Sequence, residues 1–117
     1  MQPPITNEQN KIIFDYIYIT YLINVLEEDL KKIPSLGFKL HEPYQKFVEE
    51  VLRKVRKDLQ LLRVEMKKHE LKIGEPQPED IMVHYDYWIG HKEGFKRMLV
   101  YHLRNEAMRR LEGYFKK

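Results

Sequence analysis

The stretch IMVHYDYWIGHKEGFKRMLVYHLRNEAMRRLEGYF, Ile81 to Phe115, changes its period in the middle, and that change decides the fold. Ile81, Val83, Tyr85, Tyr87 and Ile89 alternate with Met82, His84, Asp86 and Trp88, the two-residue repeat of a strand. After Gly90, the residues Phe95, Leu99, Leu103, Ala107 and Leu111 recur every four, with Met98 and Tyr114 widening the face. That spacing predicts a helix over the rest of the stretch. Ahead of it, Leu71-Lys72-Ile73 alternates briefly before Gly74 breaks the pattern. Leu71–Glu75 and Ile81–Ile89 are therefore expected to pair as a hairpin over a Glu75–Asp80 loop. A helix opening at Pro78-Glu79-Asp80 is the competing reading, and the strict alternation of strong strand formers outweighs it. A two-stranded hairpin is marginal by itself, so this one must lie on helices or continue a partner's sheet.

Working outward, the chain before the hairpin reads as two long helices. Met1–Ile5 is a flexible lead-in, and Thr6 followed by Gln9 forms a capping-box pattern that starts the first helix. Ile12, Tyr16, Ile19, Ile23, Leu26, Leu30 and Ile33 then alternate spacings of four and three, the pattern of a long helix packed lengthwise on another. A strand is the rival reading of this β-branched, aromatic run, but the length and sustained period favour the helix. Tyr18, Leu22 and Val25 lie beside the main stripe, so the first half is apolar over most of its circumference, as expected of a central helix or one buried in a dimer. Lys31 and Lys32 suit its last turn, Pro34 stops it, and Glu27–Lys31 and Glu28–Lys32 are favourable pairs along it. Pro43 is placed to open a second helix, in which Val48, Leu52, Val55, Leu59, Leu62 and Met66 repeat the same spacing. Two such helices joined by a short connector form an antiparallel pair, each about 40 Å long at ~1.5 Å per residue.

Composition bounds the function classes. The chain has 117 residues, 33% of them charged and 43% hydrophobic, with no cysteine. One soluble domain spanning 1–117 fits these values, and disulfides and thiolate metal sites are excluded. No apolar run approaches a membrane span and no basic secretion start is visible, so a cytoplasmic protein that does not enter the membrane is expected. The net charge is +3, with the basic excess in residues 43–72 and 90–117 and the acidic excess in 1–42 and 73–89. The face of the second helix opposite its apolar stripe carries Lys46, Arg53, Lys54, Arg56, Lys57, Arg63, Lys67 and Lys68, interspersed with acids. This pattern is a solvated face first and a phosphate-tracking stripe second.

The residues with chemical potential are few. His41 and His69 flank the second helix, and His91 and His102 fall far apart on the expected last helix, so no metal is predicted. Gly90-His91-Lys92-Glu93-Gly94 sits where phosphate loops occur, between a strand and an expected helix, but lacks the phosphate-loop spacing. Ser35, Thr6 and Thr20 have no histidine or acid at a suggestive spacing for nucleophilic catalysis. Neither an enzyme nor a cofactor is expected. Tyrosines 16, 18, 21, 85, 87 and Trp88 are the candidate interface aromatics, and Arg53, Arg56, Lys57, Arg97, Arg104 and Arg109 the candidate nucleic-acid contacts.

Tyr85/Tyr87, Gly90-His91, Phe95, Leu103-Arg104-Asn105-Glu106, Leu111 and Tyr114 form an aromatic strand, a glycine turn, a phenylalanine, Leu-Arg-x-Glu and a closing leucine and tyrosine. Over Val83–Tyr114 this resembles small uncharacterised proteins of phages, prophages and integrative elements in Gram-positive, Bacillus-type bacteria. In that group the turn often reads Arg-Gly-Tyr, where this chain has Ile89-Gly90-His91. The resemblance implies a mobile-element accessory protein and carries no functional residues with it.

The expected architecture is thus α+β, mostly α: two long antiparallel helices, a β-hairpin, and a C-terminal helix packed across them. The expected function is that of a non-enzymatic accessory protein that binds another macromolecule, a host or phage protein. Homodimerisation through the tyrosine-rich first helix is expected with it, and nucleic-acid binding is the alternative.

Overall fold

The computed structural model describes residues 4–37 and 39–116. Met1, Gln2 and Pro3 of the expected lead-in, and Phe38 of the connector, lie outside the described residues, whereas Ile5 packs on the core. Helix α1, Asn7–Lys32, starts with the expected box: Gln9 N–H donates to the Thr6 hydroxyl at 3.0 Å, and Thr6 N–H to the Gln9 side-chain oxygen at 3.0 Å. A short 3-10 turn, Ile33–Leu36, carries Pro34, and Gly37 closes it at φ 78°. Helix α2, His41–Lys68, begins two residues before the expected start, with Pro43 still inside the first turn, where its missing N–H costs no helical bond.

Helix α1 is the spine of the molecule. The second half of α1 packs Ile19, Leu22, Ile23 and Leu26 against Val51, Leu52, Val55 and Leu59 of α2, the antiparallel pair that the spacing predicts. Its first half packs Ile12, Ile13, Ile17 and Tyr18 under Val83, Tyr85 and Tyr87 of the sheet, with Met66 at the side. Of the residues that widen its apolar face, Tyr18 and Leu22 are buried within the chain. No helix of the described residues is long and apolar enough to cross a membrane.

The sheet corrects the expectation most. Strand β3, Met82–Ile89, is central, and the whole segment after Gly90 that was read as helix begins with another strand, β4, Lys92–Leu99. Helix α3 starts only at Val100 and runs to Phe115. Phe95 and Leu99 fell on the helical repeat by coincidence, because spacing of four is also spacing of two, twice, along one strand face. Gly90 at φ 62° and His91 form a two-residue turn closed by the pair Ile89–Lys92, so no helix N-terminus exists there to receive an anion. His91 and His102 consequently do not share a helix.

On the other side of β3, strands β1, Leu71–Ile73, and β2, Gln77–Glu79, pair with its two halves in turn. Ile73 lies opposite Tyr87 and Gln77 opposite His84, so Gly74, Glu75 and Pro76 face only Tyr85 and Asp86. β1 and β2 are thus one edge interrupted by a bulge of one extra residue, where a loop was expected. The Gly74 N–H still reaches the Asp86 carbonyl at 2.8 Å. Helix α3 returns over α1 with Leu103 in one core cluster and Ala107 in the other, tied by Arg110 to Asp15 at 2.7 Å.

Candidate functional site

Three of the six candidate interface aromatics are used inside the chain. Tyr87 is 1% exposed, and Tyr18 and Tyr85 are also buried. The inward alternation of β3 puts Tyr85 and Tyr87 on α1, where Tyr87 lies across Gly94 of β4. A methyl group on Gly94 would stand 2.3 Å from the Tyr87 ring, so only glycine fits. Tyr16 and Tyr21 are half-buried and line a cavity of about 410 Å³ with Tyr85 and the bulge residues Gly74 to Pro76. Burial, with Tyr21, Glu75 and Tyr16 nearby, pushes the Tyr85 hydroxyl up to about 12. The Tyr18 hydroxyl meets His102 Nε2 at 3.1 Å, and burial and Glu106 raise its pKa.

The candidate phosphate-binding cations are mostly engaged. Arg53 pairs with Glu50, Arg56 with Glu27 at 3.0 Å, Arg97 with Glu79 at 2.9 Å and Arg109 with Glu106 at 2.8 Å. Arg104 lies over the Tyr101 ring at 5.7 Å. Lys57 is exposed on α2.

A different set of cations converges on a cleft of about 900 Å³ between the end of α2, β1 and the Gly90 turn. Arg63 and Lys67 come from α2 one turn apart, Lys72 from the outer face of β1, and His91 from the turn, with Trp88 as the aromatic wall. Lys72 stands directly opposite Trp88 in the strand register. Among the described residues no carboxylate lies within ion-pair distance of Arg63, Lys67 or Lys72. The one acid in the cleft is Glu70, held at φ 54° in the turn that follows α2. Trp88 keeps its indole fixed by donating to Glu93 at 2.8 Å and by lying over Gly74. This arrangement can hold an anion against an aromatic face. Arg63 and Lys67 were visible in the basic run of α2, but Lys72 carried no signal until β1 was paired with β3.

The outer face of the sheet continues from Trp88 through a polar ladder. His84 Nε2 lies 2.7 Å from Asp86, the Gln77 amide donates to the other Asp86 oxygen at 2.9 Å, and the His84 ring stacks on Phe95 at 5.0 Å. These two donors hold the Asp86 carboxyl below the usual carboxylate range. Beyond them Ile81 and Tyr101 are each 64% exposed and Leu99 is 45% exposed, with Val100 bonded through its N–H to the Ile81 carbonyl at 2.9 Å. By strand alternation Ile81 and Val100 continue the inner face of the sheet and Leu99 the outer one, so these exposed apolar side chains surround the end of the sheet where β4 becomes α3.

Glu8, Glu65 and His69 bring three ligand-type atoms within 4.8 Å of one another, a grouping that the sequence did not suggest. The capping box decides its character. The Gln9 side-chain oxygen is taken by Thr6 N–H, so its NH₂ group faces His69 Nδ1 at 3.5 Å, leaving Nε2 as the protonated nitrogen directed at Glu8, 3.7 Å away. A metal needs that nitrogen bare, so the residues fit a hydrogen-bonded cluster better than a metal site. The hydroxyl groups are also committed to backbone: Thr20 donates to the Tyr16 carbonyl at 2.7 Å, Ser35 to that of Lys32 at 2.8 Å, and Thr6 caps α1.

Comparison with known proteins gives two matches. The family model described as YhjD protein matches residues 4–117. The protein described as "Uncharacterized protein YhjD" of Bacillus subtilis (strain 168) is 26% identical over 95 residues, which cover 80% of this chain and 79% of that one. No solved structure matches.

Proposed function

This chain belongs to the YhjD protein family, and from that premise we propose that it is a non-enzymatic accessory protein that binds another macromolecule. The observation that carries this reading is the exposure of Ile81, Leu99, Val100 and Tyr101 around the end of the sheet where β4 becomes α3. Large side chains left in water beside a rigid strand–helix junction are the composition of a contact surface, and Tyr is enriched where such surfaces carry binding energy. A mobile-element origin, supported by the resemblance of Val83–Tyr114, and a cytoplasmic setting belong to the same proposal. The experiment is affinity capture from host cells with the wild-type chain and with an Ile81→Glu/Tyr101→Glu variant. A partner retained by the first and lost from the second supports the reading. A wild-type chain that captures nothing, or a partner held equally by both, overturns it.

Nucleic-acid binding is the second reading, and the cleft of Arg63, Lys67 and Lys72 beside Trp88 favours it. Three phosphate contacts give a log–log salt slope of roughly −2 to −3 on duplex DNA. Titration of labelled single- and double-stranded DNA at two salt concentrations measures it, and Lys67→Glu/Lys72→Glu should abolish the binding. Absence of binding at low salt removes this reading.

A further inference from the structure

We propose that the cavity between α1, the bulged edge of the sheet and the start of α3 is a binding site for a small zwitterion with an apolar body, an α-amino acid with an apolar side chain. The inference goes beyond the macromolecular contact proposed above and concerns a site that α1 and the bulge build together.

Tyr16, Thr20 and Asn24 recur every four residues on α1, with Tyr21 beside them, and so present one stripe to the cavity. Gly74, Glu75 and Pro76 of the bulge form a second side, and Val83 and Tyr85 of β3 with Leu103 of α3 supply more of the wall. Arg63, exposed on α2, also lines the space. Its volume of about 410 Å³ lies near the lower end of ligand pockets, which run from about 300 to about 1,000 Å³, and suits a molecule of amino-acid size.

Tyr85 is the observation that points to a ligand. The residue is 4% exposed, and its hydroxyl has no hydrogen-bond partner among the described residues. The one side-chain polar atom sealed from solvent without a partner among those residues is Arg110 Nε, so the Tyr85 oxygen opens into the cavity that the residue lines. Burial, together with Tyr21, Glu75 and Tyr16, raises its pKa to about 12, so a carboxylate and three phenols gather around one spot. The Tyr16 and Tyr21 hydroxyls likewise make no hydrogen bond among the described residues. Bonding capacity left unused in so buried a place costs free energy until something enters to meet it.

Two charges choose the class of ligand. Glu75 from the bulge and Arg63 from α2 line the same cavity, yet neither makes an ion pair with the other or with any described residue. A simple cation is drawn to Glu75 and the tyrosine rings but repelled by Arg63, and a simple anion meets the reverse. A neutral polyol bonds the hydroxyls but lies badly on buried Val83 and Leu103, and a wholly apolar molecule leaves every polar group unmet. A zwitterion with an apolar body meets all of these demands together. Its ammonium lies toward Glu75 and the phenol oxygens, its carboxylate toward Arg63, and its side chain on Val83 and Leu103.

The test is isothermal titration calorimetry of the full chain with leucine and phenylalanine, and with two truncated probes. Leucinamide lacks the carboxylate, and 4-methylpentanoate lacks the amine. An amino acid is expected to bind at micromolar to millimolar concentration, and each truncated probe about tenfold or more weakly than leucine. Tyr85→Phe removes only the unpaired oxygen, so it should keep or raise the melting temperature while weakening the amino acid about threefold to tenfold. Glu75→Gln and Arg63→Gln, both at exposed positions, should leave the fold unchanged and each weaken binding about tenfold. Absence of binding by either amino acid up to about 10 mM overturns the proposal. So does a truncated probe that binds as tightly as leucine, or binding that all three substitutions leave unchanged.

Discussion

Along one edge of the sheet, β1 and β2 are parted by a bulge and carry Pro76 and Pro78; along the other, β4 runs eight residues with neither. Proline removes an N–H donor and a bulge twists the strand away from a flat partner, so the first edge is closed to strand addition by its backbone. The second edge is governed only by side chains, with Lys92, Glu93, Lys96 and Arg97 along it. A closed backbone refuses every partner. A charged edge is selective by its side chains instead, so the two edges differ in what guards them.

Breaking the framework that both edges share gives the largest expected effect. Tyr87→Ala removes the most buried large side chain of β3 and should cost about 3–5 kcal/mol in urea unfolding, loosening both edges together. Gly94→Ala acts on the β4 side alone, because its methyl group meets the Tyr87 ring, and should cost about 1–3 kcal/mol. Combining it with Tyr87→Leu should cost less than the two single losses added, and strict additivity would show that the contact is not the cause.

The closed edge can be opened instead. Pro76→Thr with Pro78→Thr should change stability by no more than ~0.5 kcal/mol, both prolines lying at the rim, while raising concentration-dependent association in light scattering. Unchanged scattering would mean that the bulge alone protects that edge. The smallest effect is on pH dependence. Asp86 binds His84 and Gln77, which lowers its folded pKa, so its contribution is present above the ordinary carboxylate range and lost as pH falls through the folded value. Asp86→Asn should therefore lower the melting temperature near neutral pH and make little difference in acid; an equal loss at both would contradict this assignment.

What the sequence made legible followed from local periods. Thr6 and Gln9 announced the start of α1, and the alternating spacings of four and three predicted α1 and α2 and their pairing. The alternation of β3 likewise marked Val83, Tyr85 and Tyr87 as one face. β4 escaped because Phe95 and Leu99 extended the spacing of Leu103 and Ala107 backward, and because the reason for Gly94 lies across the sheet on Tyr87. The bulge read as a loop because its prolines and glycine look alike in either setting. For the candidate site, the pairs Arg53–Glu50 and Arg109–Glu106 were within reach of helical spacing. Arg56–Glu27 and Arg97–Glu79 join different elements, so no local pattern showed that these cations were occupied.

The Gln9 side-chain oxygen accepts from the backbone N–H of Thr6, the cap of its own helix, and its nitrogen faces His69, just past the end of α2. Two helix ends far apart in sequence ordinarily fray independently, each at its own rate. Here the side chain that stops α1 from unwinding also bears on the residue that closes α2, so opening either end withdraws support from the other. Amide hydrogens in the first turn of α1 and the last turn of α2 should accordingly exchange with deuterium at matched rates, and Gln9→Ala should separate them. The N-terminal turn of one helix and the C-terminal turn of the next then behave as a single cooperative unit.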